Sequence, residues 1–281
     1  MWSDIGQANV QGKTSWSESL LRHDRWIVIG GAAAISILAW IYILTGAETG
    51  MSVRSMTIVS LFPHRTVGIP ISQQWTLSYW IIMLFMWWVM MIAMMTPSAT
   101  PVILLYARAM RYAETNGQLS RGAASAAAFA LGYLITWFGF SWAATAAQWW
   151  LERSGLLSGM WMASASRGLS VAILMVAGVY QLSPWKHRCL EHCRTPAEFL
   201  TRRRRSGKLG ALCMGVEHGT FCVGCCWVLM AMLFVGGIMN VLWIAVLAMF
   251  VLLEKLAPHG HWVARITGVM LLVWGISTLA T

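Results

Sequence analysis

The stretch His218-Gly-Thr-Phe-Cys222-Val-Gly-Cys225-Cys226 concentrates metal-ligand side chains inside an otherwise apolar run. Read as a helix, it places His218 and Cys222 at i and i+4 and Cys225 at i+7 on one face, with Cys226 on the flank. Met214 extends the stripe by a turn. Thiolate, thioether and imidazole together suit a soft or borderline ion, Cu(I) first and zinc second. A lone thiolate in hydrocarbon carries a heavy charging cost, and a bound cation offsets it, so the thiols and the metal favour one another. Single membrane cysteines usually only pack. Three within five positions, with a histidine one turn before, are more than packing requires.

Three further clusters have related chemistry. Met83, Met86, Met90, Met91, Met94 and Met95 fall within 13 residues, and Met83, Met86, Met90 and Met94 share a helical face. Neutral thioethers pass Cu(I) along without a buried charge, although they fill core gaps equally well. Met90 and Met94 are the candidate ligands of this group. In the segment Pro184-Trp-Lys-His187-Arg-Cys189-Leu-Glu-His192-Cys193-Arg-Thr-Pro196, the residues Cys189, His192 and Cys193 form a candidate second station. Pro196 is expected to open a short helix. The fourth cluster is Glu254-Lys255-Leu-Ala-Pro258-His259-Gly-His261. Here the simple expectation is that Glu254 and Lys255 snorkel or pair at the interface. The alternative keeps Glu254 as a ligand or as a partner of Glu217 or His218.

The elements that must position these groups are membrane helices. The chain has 281 residues, 58% hydrophobic and 11% charged, against about one quarter charged in an ordinary globular domain. Seven apolar windows are expected to span: 26–46, 76–105, 124–148, 168–184, 208–235, 239–257 and 262–280. The fold class is therefore all-α, a polytopic helical membrane protein. It has a cytoplasmic tail over 1–25, one transmembrane domain over 26–281 and a basic cytoplasmic loop over 185–207. Pro97 and Pro101 are expected to kink or break the second span, with Thr96 and Ser98 serving the freed backbone. Residues 51–62 are a candidate interfacial helix.

Counted over loops and adjoining span ends, 16 Lys and Arg fall on one side and 4 on the other. That asymmetry puts the N-terminus in the cytoplasm and the C-terminus outside. The net charge of +10 is distributed as a topology signal. Arg202-Arg203-Arg204-Arg205 reads as a contact for lipid headgroups, and nucleic acid is not an expected partner. All six cysteines lie between Cys189 and Cys226, which suits ligands or redox thiols better than a disulfide framework. No Walker loop, dinucleotide fingerprint, Gly-x-Ser-x-Gly or His-Glu-x-x-His occurs, and no acid–base constellation argues for an enzyme.

From about Trp80 to Gly260 the chain resembles a bacterial family described as predicted metal-binding integral membrane proteins, whose members are often labelled copper chaperones. The resemblance rests on Ala93-Met94-Met95-Thr96-Pro97-Ser98 and on Tyr180-Gln-Leu-Ser-Pro184 followed by Cys189 and Cys193-Arg-Thr-Pro196. It rests further on His218-Gly-Thr-Phe-Cys222-Val-Gly-Cys225-Cys226-Trp227 and on Glu254-Lys255. Phe221 stands where tyrosine is expected and Trp185 where leucine is, and neither change removes a candidate ligand. The resemblance implies metal handling in a bacterial cytoplasmic membrane.

Three functions follow as expectations. The first is a copper protein that binds or relays Cu(I) and supplies a copper-dependent membrane enzyme. The second is an accessory subunit of a larger membrane complex. The third is a thiol–disulfide oxidoreductase using Cys222 and Cys225, for which a mid-bilayer thiol is poorly placed.

Overall fold

The structure, a computed structural model, describes residues 26–46, 74–115, 122–158, 162–195, 200, 205, 207–258 and 260–280. The N-terminal tail, the interfacial helix expected over 51–62, Pro196, His259 and Arg202 to Arg204 lie outside the described residues.

The chain is built from helices. In order they are α1 (Trp26–Leu44), α2 (Leu77–Thr115), α3 (Gly122–Arg153), α4 (Arg167–Leu182), α5 (Pro184–Arg194), α6 (Gly207–Ala231), the short α7 (Leu233–Gly236), α8 (Val241–Leu256) and α9 (Gly260–Ala280). A two-residue antiparallel ladder, β1 (Leu157–Ser158) with β2 (Ala163–Ser164), turns the chain between α3 and α4. Among the described residues, five helical stretches are long and apolar enough to cross a bilayer: α1, α2, α3, α6 continued through α7, and α9. The difference from seven windows lies in α4 and α8, each of 16 residues. Such a helix is about 24 Å long, short of a hydrocarbon core of about 30 Å. Helix α4 joined to α5 passes as a sixth, bent by 64° at Ser183.

Helix α2 runs unbroken through Pro97 and Pro101. Pro97 has no N–H, which leaves the Ala93 carbonyl without its helical donor. Ser36 of α1 supplies one, its Oγ donating to Ala93 O at 3.3 Å. The expected local repair is partial. Ser98 Oγ donates to Met95 O at 2.9 Å, whereas the buried Thr96 hydroxyl has no hydrogen-bond partner among the described residues.

The most extensive helix contact is α3 against α6. It is possible because both surfaces carry glycine where the backbones meet, the usual device when lipid offers no hydrophobic drive for helix association. A methyl group on Gly132 would strike the Leu212 carbonyl, and one on Gly215 would strike the Phe129 carbonyl. Thr136 closes the seam, donating to Gly132 O and to Val216 O of α6, each at 3.2 Å.

A chain of polar groups between α2 and α3 is satisfied internally, as a dry environment favours. Trp87 Nε1 donates to Gln148 Oε1 at 2.8 Å, Gln148 Nε2 to Glu152 Oε1 at 2.9 Å, and Trp75 Nε1 to Glu152 Oε2 at 2.9 Å. These bonds tie α2 to α3 around the buried methionines. All six methionines from Met83 to Met95 are buried, so their helix is enclosed on more than the single face the spacing suggests.

Candidate metal centre

Two elements bring the thiols together. Helix α6 carries Cys222, Cys225 and Cys226, all buried. Helix α5 brings Cys189 and Cys193. Its start is set by Ser183, whose Oγ accepts from Lys186 N at 3.2 Å, and by Pro184 at the first helical position. The 64° bend then lays α5 across α6 instead of continuing α4.

Contacts from α5 and from the last turn of α4 hold the bend in place. Lys186 Nζ pairs with Glu254 Oε2 at 2.7 Å, both side chains being buried. Gln181 Nε2 donates to the other oxygen, Oε1, at 2.9 Å. Arg194 caps the end of α8, donating to Ala257 O and to Pro258 O at 2.6 Å. On the α6 side, Tyr180 donates its hydroxyl to the Gly224 carbonyl. Glycine at 224 eases the approach, because a methyl group there would stand 3.0 Å from Cys189 Sγ and press on it.

The result is a buried thiol cluster. The Cys193 thiol lies against the thiols of Cys222 and Cys225. The Cys225 and Cys226 thiols donate back to Cys222 O at 3.1 and 3.0 Å, a common resting posture for a helical thiol that has no other acceptor. Cys226 Sγ is 4.0 Å from the thioether of Met95. Tyr133 of α3 sets its hydroxyl 3.2 Å from Cys222 Sγ and 3.3 Å from Met95 O. From α8, Lys255 Nζ reaches Cys222 Sγ at 2.9 Å and Ser98 Oγ at 3.1 Å.

The other sequence candidates surround this core. His218 is buried one turn before Cys222, its ring 6.0 Å from those of Phe129 and Tyr133. His192 stacks on Phe221 at 3.8 Å. Cys189 is half-buried at the edge of the cluster. Met90 and Met94 are buried in the same core as the thiols. Glu254 has both oxygens engaged by Lys186 and Gln181, away from the pairing with Glu217 or His218 that the sequence left open. Cys213 is exposed. All six cysteines are free thiols. Among the described residues, no three His, Cys, Asp or Glu side chains stand arranged to hold a metal ion.

A family model described as "PpoB2: Copper chaperone" matches residues 84–278, which hold every thiol of this cluster and its lysine. The chain belongs to the PpoB2 copper-chaperone family. No curated protein and no solved structure matches it. Membership gives the protein a copper-related role and fits the resemblance carried by the Cys/His stretch.

Residue-type spacing alone missed Lys255, Tyr133, Met95 and Ser98. For Lys255 the signal was present, since a cation within an apolar window is costly and points to a partner. Snorkelling was the simpler expectation, and the structure turns the side chain inward instead.

Proposed function

We propose that this PpoB2-family protein is a multi-pass protein of the bacterial cytoplasmic membrane that binds Cu(I) at a buried thiol cluster and hands it to a copper-dependent membrane enzyme. The observation that carries the reading is the meeting of Cys193 from α5 with Cys222 and Cys225 from α6 beside the Met95–Cys226 contact. Soft sulfur donors from separate helices converge there in a dry site. Cu(I) is stable with two sulfur ligands, so it does not need a ready-made set of three. Zinc prefers four ligands in a tetrahedron, and that set is not arranged among the described residues. His218, Cys189 and His192 lie at the margin of the cluster and serve entry or exit. Met90 and Met94 extend the soft environment along α2. The cytoplasmic orientation of α5 follows from the Lys and Arg asymmetry.

The burial of Cys222 and Cys225 argues against the oxidoreductase reading, since exchange needs a thiolate that a partner disulfide can reach.

The test is Cu(I) titration of the purified protein in lipid nanodiscs under reducing conditions, read by elemental analysis after desalting. Near-stoichiometric copper is expected for the natural chain. Cys222→Ser should lose at least nine tenths of it, because Cys222 is the thiol that the others and Lys255 surround. Copper that is absent from the natural chain, or fully retained by Cys222→Ser, would sink the proposal.

A further inference from the structure

Lys255 faces the thiol site but is not one of the copper ligands named above. Lys255 and Glu254 are neighbours on α8, yet they face different partners. Glu254 is neutralised by Lys186 at 2.7 Å. Lys255 has around its Nζ the Cys222 thiol at 2.9 Å and the Ser98 hydroxyl at 3.1 Å, with the Tyr133 hydroxyl sharing the same thiol. Among the described residues, no carboxylate pairs with Lys255. Lys255 is half-buried, and an ammonium turned inward without a counter-anion is costly in a dry interior. The Cys222 sulfur is the group that faces it, at 2.9 Å.

We infer that Lys255 is a specificity-determining residue. Its fixed positive charge makes a monovalent soft cation held by two thiolates the neutral, and therefore favoured, occupant of the site. The inference rests on the copper reading and deepens it. The balance is simple. A Cu(I) ion binds Cys222 and one neighbouring cysteine as thiolates, and the thiol protons leave to water. The bis-thiolate complex carries one negative charge, and Lys255 cancels it. No oxidant or reductant is involved. A divalent ion on the same two sulfurs would form a neutral complex and leave the ammonium's own charge uncancelled, in surroundings where water screens it poorly. Zinc would need a third thiolate to restore neutrality. Ser98 supplies a hydroxyl that keeps the ammonium near the site when sulfur turns from it to the metal. Lys255 thus acts through charge and is not a ligand.

The experiment is a competition between Cu(I) and Zn(II) for the full chain in nanodiscs, with chromophoric chelators setting each free ion. Natural protein, Lys255→Met and Lys255→Arg are compared, each first shown to be folded by its thermal midpoint. The preference for Cu(I) over Zn(II) is expected to fall at least tenfold in Lys255→Met and to persist in Lys255→Arg. An unchanged preference in folded Lys255→Met, or equal loss in Lys255→Arg, would overturn the inference while leaving copper binding intact. Failure of the natural chain to bind copper at all would instead remove the reading beneath it. Should Lys255→Met not fold, X-ray absorption of the copper-loaded natural protein decides. Two short copper–sulfur bonds support the charge argument, and three or more overturn it.

Discussion

Lys186→Met is expected to lower the thermal midpoint by on the order of 10 °C and to open the Cys193 thiol to a small, membrane-permeant maleimide. The pair of Lys186 and Glu254 is fully buried at 2.7 Å. Removing one partner strands the other's charge in the interior, which costs about 3–5 kcal/mol, far more than the pair contributes over an apolar substitute. The loss falls on one element. The bond to Glu254 joins α5 to α8 at the N-terminal end of α5, while Arg194 secures the other end. With the first gone, α5 pivots and Cys193 leaves Cys222. The double variant Lys186→Met/Glu254→Gln removes both charges and should recover most of the midpoint. Differential scanning fluorimetry and mass spectrometry of labelled protein give the two readouts. A midpoint within about 2 °C of the natural chain, with Cys193 still protected, would show that the ion pair does not hold α5.

The second large effect is steric. Gly215→Ala should abolish, or nearly abolish, recovery of monodisperse protein, whereas Gly139→Ala should leave it unchanged. Both sites are glycines inside helices, so propensity alone favours alanine by roughly 0.5–1 kcal/mol at either. Their surroundings differ. A methyl group at 215 strikes the Phe129 carbonyl, and one at 139 has no neighbour within 4 Å. Backbone cannot rotate aside as a side chain can, so α3 and α6 must separate along their whole contact. The hydrogen bonds of Thr136 across the seam then stretch with it. Fluorescence-detected size exclusion of the two variants checks this directly. Comparable yields of both would mean that the helix contact is looser than the glycines imply.

The consequences of these changes for the site follow from how it is assembled. Only α6 carries its thiols in an order that a helical wheel reveals. Cys193 arrives from a separate helix, and Lys255 from a third. Their convergence depends on a bend at Ser183 and on close packing at Gly224. Proline after serine signals a helix start, but it says nothing of where the new helix points. The Met cluster shows the same limit. Periodicity marked one face of α2, while the enclosed site also uses Met95 on another, because neighbours cover α2 from several directions.

Length and apolarity determined the helical membrane class, and residue type with i, i+4 spacing determined that soft-ligand chemistry sits on α6. Both are local properties, settled by the 3.6-residue turn and by the cost of polar groups in lipid. The tertiary structure alone decided which thiols meet, which carboxylate is neutralised and which lysine faces sulfur. Those outcomes rest on contacts such as Lys186 with Glu254 and Lys255 with Cys222, joining residues far apart in the chain. A buried charge takes whichever partner the packing of glycine-lined helices brings within reach, and no local pattern encodes that choice.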